Sequence, residues 1–319
     1  MKENNLSMQQ LNEYRKIAYS YYKLKMSQNE IADRMNTSRQ RINRILQKCE
    51  EIGIVTIEIS DPDHYVELEA DITQKYGLKD ARVVKSLNKN DLYTDMGREG
   101  IGYLNSVLKD GDIIGFSRGR SISALVEEVA NLKATNLTVT QLLGNVTYAQ
   151  VAQTGKQEAD NIIHRFAQNT NAAINMLYAP IIVQNAQLKE SMMNDPSYLK
   201  AYSIIKNCNV AVVGIGAFDQ YPDYMAGLFK DWSAESINQF SVHVAGEVCA
   251  NFYDYQGKPI VPDFQKNIIT TSLPDYMKIP IRIGIAGTKQ KGRAIKGALL
   301  GNYINVLITD YDVARMLTC

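Results

Sequence analysis

In the run Ser38-Arg39-Gln40-Arg41-Ile42-Asn43-Arg44, three guanidinium groups and two carboxamides fall within seven residues. On a helix, Arg pairs bidentately with guanine and Gln or Asn with adenine, while further cations hold phosphate. A solvated helix face would also be rich in charge, so the neighbouring positions decide between the two readings. Ile42, Ile45, Leu46 and Cys49 share one arc at helical spacing. Gln40, Asn43 and Arg44 then point the opposite way, with Arg39 and Arg41 on the flanks. From Arg34 to Lys48 every charged side chain is basic, and acids return only at Glu50 and Glu51. Ser38, Arg39, Gln40, Arg41, Asn43 and Arg44 are therefore the candidate contacts to double-stranded DNA.

A second set of polar residues follows glycines at the ends of apolar runs. Ser117-Arg118-Gly119-Arg120-Ser121 combines a flexible turn, two hydroxyls and two cations ahead of a helical pattern, the parts of a phosphate cradle. An ordinary tight turn with surface arginines fits the same residues, and both readings stand at this point. Gly144 and Asn145, then Gly214, Gly216 and Asp219, end later apolar runs. Glu247 lies in GEVCANFYDYQGKPI, and Lys289 and Lys291 in AGTKQKGRAIKGAL. Cations with N–H donors suit a phosphate, and carboxylate or amide acceptors suit sugar hydroxyls. Neither GxxxxGK[ST] nor GxGxxG occurs at the Ser117–Ser121 turn, which disfavours a nucleotide ligand.

These residues need elements to place them. Leu11, Tyr14, Ala18 and Tyr21 mark one face of a first helix. Ser27 with Glu30 has the form of a capping box for a second helix that turns Ile31, Ala32 and Met35 inward. Thr37 with Gln40 signals the start of a third, and Gly53 its stop. IVTIEIS then alternates Val55, Ile57 and Ile59 as a short strand, the wing of a winged helix-turn-helix. SDPDHY reads as a linker, dividing the chain into residues 1–60 and 61–319. Beyond it, ARVVKSL, GDIIGFS, LTVTQLLG, AAINMLYAP, VAVVGIG, IRIGIAG and INVLITD read as strands alternating with helices. GEVCANFYDYQGKPI reads as a strand that turns back between Asp254 and Gly257. The pattern predicts an α/β domain with a mostly parallel sheet covered on both faces, whose ligands bind outside the carboxyl ends of the strands.

With 35 basic and 34 acidic residues, net charge says nothing about partners. The four cysteines and three histidines show no ligand spacing, so neither a disulfide framework nor a metal is expected. No cofactor is expected either. A polar N-terminus and the lack of a long apolar run predict a cytoplasmic protein with no membrane span.

The order and spacing of these blocks resemble the SorC family of sugar-responsive bacterial transcriptional regulators over nearly the full length. SQNEIADRMNTSRQRINRILQKCEEIGIV carries the resemblance in the first part. In the second, GDIIGFSRGRSI, VTQLLGN, VVGIGAFD, GEVCANFYDYQGKPI and AGTKQKGRAIKGALLGNYINVLITDYDVARMLT carry it. The resemblance implies a Rossmann-like, doubly wound sensor domain similar in fold to sugar-phosphate isomerases and deaminases. It implies that Gly119, Arg120 and Ser121 hold an effector phosphate, and that Gly144, Glu247 and Lys291 surround the sugar. Lys291 matches the family's GG-x-x-K-x-x-A-I better than Lys289 does. Ser121 stands where the family often has Thr, and Asn145 where it often has a second Gly.

The expected function is thus a repressor or activator of a carbohydrate-use operon. It would bind operator DNA as a homo-oligomer, a dimer or a tetramer, under control of a phosphorylated sugar. The effector site would comprise Ser117, Arg118, Gly119, Arg120, Ser121, Gly144, Asn145, Asp219, Glu247 and Lys291. The alternative is a sugar-phosphate isomerase or deaminase with a DNA-binding domain attached, in which Glu247 or Asp219 would serve as base.

Overall fold

Three capped helices make the first of two compact units, residues 1–62 and 63–319. The computed structural model describes residues 6–57, 65–85, 91–145, 159–218 and 234–319. The helices are α1 (Met8–Tyr22), α2 (Gln28–Arg34) and α3 (Arg39–Glu51). Ser27 Oγ accepts from the Glu30 N–H, and Glu30 returns a bond to the Ser27 N–H, which satisfies two donors that a helix start leaves over. At α3 the cap is Ser38, one residue beyond the expected Thr37: Ser38 Oγ accepts from the Arg41 N–H at 3.2 Å. Ile17, Ala18, Ile31, Ala32, Ile42, Ile45, Leu46 and Cys49 form the core of the unit. Met35, expected inward, is 37% exposed, because it is the residue on which α2 stops.

Gly53 ends α3 with φ 75°, as a stop glycine should. The wing does not follow as expected. The Val55 N–H turns back to the Cys49 carbonyl at 3.1 Å, and Ile54 and Val55 both pack on the helical core. Two consecutive inward residues break the alternation a strand needs, and Ile57 is left 61% exposed. Residues 54–57 therefore form no strand, and the rest of the expected wing and the linker, residues 58–64, lie outside the described residues.

The second unit is built on a seven-stranded sheet, every pair of which is parallel. Its strands are β1 (Asp80–Val84), β2 (Ile113–Phe116), β3 (Thr138–Gln141), β4 (Ala173–Asn175), β5 (Val210–Val213), β10 (Ile281–Ile285) and β11 (Val306–Asp310). The helices are α4 (Tyr65–Tyr76), α5 (Leu92–Val107), α6 (Arg120–Glu127), α7 (Ala159–Thr170), α8 (Ala186–Met193), α9 (Pro196–Ile205), α10 (Ala234–His243), α11 (Leu273–Met277), α12 (Gly292–Leu300) and α13 (Tyr311–Thr318). Two separate apolar clusters bury the sheet's residues, and β5 is buried at every position. That is why these strands read as unbroken apolar runs.

The sheet order is β1-β11-β10-β5-β2-β3-β4. From β2 the chain moves outward through β3 to β4, then returns to the other side of β2 at β5 and continues to β10 and β11. The strand order thus reverses between β2 and β5, which makes their carboxyl ends the switch-point crevice of a doubly wound sheet.

A second, antiparallel sheet runs β6 (Gly216–Ala217), β7 (Gly246–Val248), β8 (Asn251–Tyr253) and β9 (Pro259–Ile260). It reverses once earlier than the sequence suggests. Cys249 and Ala250, with φ 50° and 56°, make a two-residue hairpin turn between β7 and β8, ahead of the expected turn at Asp254–Gly257. Turns of this kind normally take Asn and Gly. Here the turn is buried and tied by Thr270 Oγ1 donating to the Cys249 carbonyl at 2.6 Å and the Ala250 N–H donating to Glu247 Oε2 at 2.7 Å.

Candidate functional site

The polar face of α3 forms one site. Arg39, Gln40, Asn43 and Arg44 are exposed and, with Gln28, line a groove of about 550 Å³. Gln28 Nε2 donates to Asn43 Oδ1 at 3.2 Å, which orients that amide from the first turn of α2. Sequence reasoning missed Gln28; its position directly after the capping serine was the available signal. Ser38 serves as the helix cap. Arg41 is turned aside: its guanidinium pairs with Glu13 of α1 at 3.0 Å and does not line the groove. Glu50 is held by the Tyr22 hydroxyl at 2.6 Å, an interaction that pushes the phenol up to about 12. Lys48 pairs with Glu51 at 2.8 Å.

The switch-point crevice of the second unit forms the other. The Gly214 N–H donates to Ser117 Oγ at 2.9 Å, joining the ends of β5 and β2. Gly119 precedes α6 with φ 124° and ψ 170°, a conformation for which glycine alone carries no β-carbon penalty. Gly119 at the N-cap brings no side chain to the start of α6, and the helix dipole favours an anion there. Ser121 is buried in the first turn, while Arg120 is exposed with its guanidinium 4.9 Å from the Tyr93 ring centre. Nothing in the sequence pointed to Tyr93.

Lys291 enters from the loop after β10 and donates from Nζ to the Ile215 carbonyl at 2.8 Å. Burial pushes its ammonium down to about 8; the Arg120 charge acts in the same direction and Glu247 opposes it. Arg120 and Glu247 therefore lie near enough for their charges to act on the Lys291 ammonium. Glu247 pairs in register with Gly216 on β6, and its Oε2 is engaged by the Ala250 N–H. Among the described residues, Arg120 at the start of α6, Lys291 and Glu247 thus gather at the crevice.

Gly144 and Asn145 also have packing roles. A β-carbon on Gly144 would lie 2.6 Å from the Pro180 backbone, so close chain approach requires glycine there. Asn145 exchanges backbone hydrogen bonds with Ala179 and Ile181, and its Oδ1 accepts from buried Gln141 at 3.1 Å. Neither is hydrogen-bonded to Arg120, Lys291 or Glu247. Asp219 lies outside the described residues. Among the described residues no group of three His, Cys, Asp or Glu could hold a metal, and no helix is long and apolar enough to cross a membrane.

A helical DNA-reading unit joined to a doubly wound α/β unit with a polar strand-end crevice defines a ligand-responsive transcriptional regulator. Family comparison agrees: residues 6–64 match the Crp-like helix-turn-helix domain, and residues 60–318 the sugar-binding domain family. The sorbitol operon regulator of Klebsiella pneumoniae is 30% identical over 95% of this chain and 96% of its own length. The deoxyribonucleoside regulator of Bacillus subtilis is 30% identical over 93% of this chain and 94% of its own. The crystal structure of full-length SorC from Klebsiella pneumoniae superimposes with a TM-score of 0.74, at 29% identity, covering 99% of this chain and all of that one. The chain belongs to the SorC family of sugar-responsive transcriptional regulators.

Proposed function

We propose that this regulator reads an operator through Arg39, Gln40, Asn43 and Arg44 and is controlled by a phosphorylated sugar bound in the β2–β5 crevice. Residues 1–60 carry DNA binding, and residues 61–319 carry effector binding and self-association. The observation that carries the effector reading is the nearness of Arg120, the first residue of α6, and of Glu247 to the Lys291 ammonium. A dianionic phosphate neutralises the two cations and accepts from the helix N–H groups, while Glu247 accepts from a sugar hydroxyl. A neutral sugar would leave the Lys291 and Arg120 charges without an anionic partner.

The regulator acts on DNA as a cytoplasmic homo-oligomer, a dimer or a tetramer, so that two half-sites are read a helical repeat or a multiple of it apart. The second unit is a sensor rather than an enzyme, in keeping with the regulator names its relatives carry. Effector binding shifts operator affinity through a coupling of about 1–3 kcal/mol between the two sites.

Fluorescence anisotropy on DNA from upstream of the chain's own operon, titrated with sugar phosphates and the matching free sugars, tests this reading. One phosphorylated sugar should shift operator affinity about tenfold, equivalent to ~1.4 kcal/mol, where its free sugar does not. Equal effects of phosphate and free sugar would remove the phosphate from the reading.

A further inference from the structure

Lys291 reaches the crevice on a loop whose backbone is strained. Between β10 and α12, Thr288 has φ 81° and ψ 135°. L residues rarely adopt this region, and a β-branched side chain there is a true outlier that persists only where its surroundings enforce it.

Three hydrogen bonds enforce it. The Thr288 N–H donates to Asp310 Oδ2. The Thr288 carbonyl accepts from the Lys291 N–H at 2.9 Å, closing the turn that carries Lys291. The Ala286 N–H donates to the Ile308 carbonyl at 3.1 Å and registers the loop on β11. Asp310, the last residue of β11, is only 8% exposed and uses its other oxygen as well. Its Oδ1 accepts from the Val313 N–H at 3.0 Å and so caps α13. The loop is shaped to the carboxylate, since a β-carbon on Gly287 would lie 2.6 Å from Oδ2.

We propose that Asp310 is a positioning residue of the effector site: its carboxylate clamps Thr288 in the strained conformation and thereby holds the Lys291 ammonium in the crevice. Asp310 itself touches no effector. Without the clamp, Thr288 relaxes to negative φ, the turn closed on Lys291 opens, and Nζ leaves the Ile215 carbonyl for water. The consequence for effector binding rests on the reading of the crevice given above; the clamp itself does not.

Asp310→Asn in the full-length protein separates clamp from cap. Asparagine keeps an oxygen for the Val313 N–H, and Asn and Asp are about equally good helix caps. Its NH2 group, however, faces the Thr288 N–H donor to donor. The readout is the titration of Lys291 by NMR on protein with 13C-labelled lysine, with the signal assigned from Lys291→Arg. Wild type should titrate near 8. The Asp310→Asn variant should move towards the solvated value of about 10.4. Inorganic phosphate, used as the probe ligand, should bind it about tenfold more weakly, a ~1.4 kcal/mol change.

Should Asp310→Asn not fold, Gly287→Ala presses on the same carboxylate from the loop side and should give the same shift. A role confined to capping α13 would lower thermal stability and leave the Lys291 titration in place. An unmoved Lys291 in a folded Asp310→Asn protein overturns the clamp. If no sugar phosphate binds wild type, the effector reading falls while the titration still decides the clamp. If a sugar phosphate binds Asp310→Asn as tightly as wild type, the clamp falls and the effector reading stays.

Discussion

The DNA-reading face and the effector crevice are built in opposite ways. On α3 the functional residues are neighbours in sequence, exposed, and presented by one helix whose other side is buried. In the crevice the proposed residues come from separate strands, Arg120 after β2, Glu247 on β7 and Lys291 after β10, and burial depresses the Lys291 ammonium. The difference follows from the ligands. A major groove is a wide, hydrated surface that a rigid rod can enter. A small molecule such as the proposed phosphorylated sugar must be surrounded, and only convergent loops surround it. The helix therefore works by presentation and depends on its scaffold only for stability, whereas the crevice depends on the scaffold for the chemistry itself.

The largest expected effect probes that dependence. Ile42→Ala opens a cavity in a core of few residues and should cost about 2–5 kcal/mol, unfolding much of the first unit. Operator binding should vanish while the second unit still binds sugar phosphate by calorimetry. Loss of both would mean the two regions are not built independently.

Arg120→Ala removes one charge-assisted partner of the phosphate and should weaken effector binding by about 1.5–3 kcal/mol. Operator affinity without effector should stay near normal in the same anisotropy assay. A variant that still responds at the wild-type effector concentration would take the loop after β2 out of the site. Arg44→Ala should cost about 1–3 kcal/mol at its preferred base and relax specificity there, while Lys48→Ala should weaken all sequences alike. Equal loss on operator and random DNA for Arg44→Ala would reduce it to a phosphate contact.

The smallest effect is one of pH. The Lys291 ammonium is depressed to about 8, and a bound phosphate dianion raises it, so the complex holds the proton more tightly than the free protein. Effector affinity is then fully present below pH 8 and falls by up to about tenfold per unit above it. The phosphate's own second ionisation, near 6, is complete in that range. On α3 no such dependence is expected, because arginine stays charged throughout. A flat effector affinity from pH 7 to 9 would place Lys291 away from the phosphate.

Sequence reasoning was strongest where structure is local. The capping box at Ser27–Glu30, the buried stripe of α3, the stop at Gly53 and the parallel strands could all be read from short spacings. It was weaker where long-range packing overrides a local pattern. Val55 and Ile57 alternate like a strand, yet Ile54 and Val55 both turn into the helical core. Gly144 and Asn145 have the look of a ligand loop, and the packing they also carry, against Pro180 and the amide of Gln141, has no local signal. Cys249 and Ala250 carry no turn signal, because their left-handed backbone is imposed by partners from elsewhere in the chain.

The sequence by itself determined the two-part organisation, the recognition helix and the strand ends that could hold a ligand. Apolar periodicity, capping and glycine turns act over a few residues and are written there directly. Tertiary structure alone decided that Arg41 pairs with Glu13 rather than lining the groove, that Tyr93 supports Arg120, and that Arg120 and Glu247 come near enough to act on Lys291. It also decided that Thr288 is strained and tied to Asp310, 22 residues away. Such pairings depend on which strands lie side by side, and burial then sets how strongly the charges act. Neither quantity has a local signature in the chain.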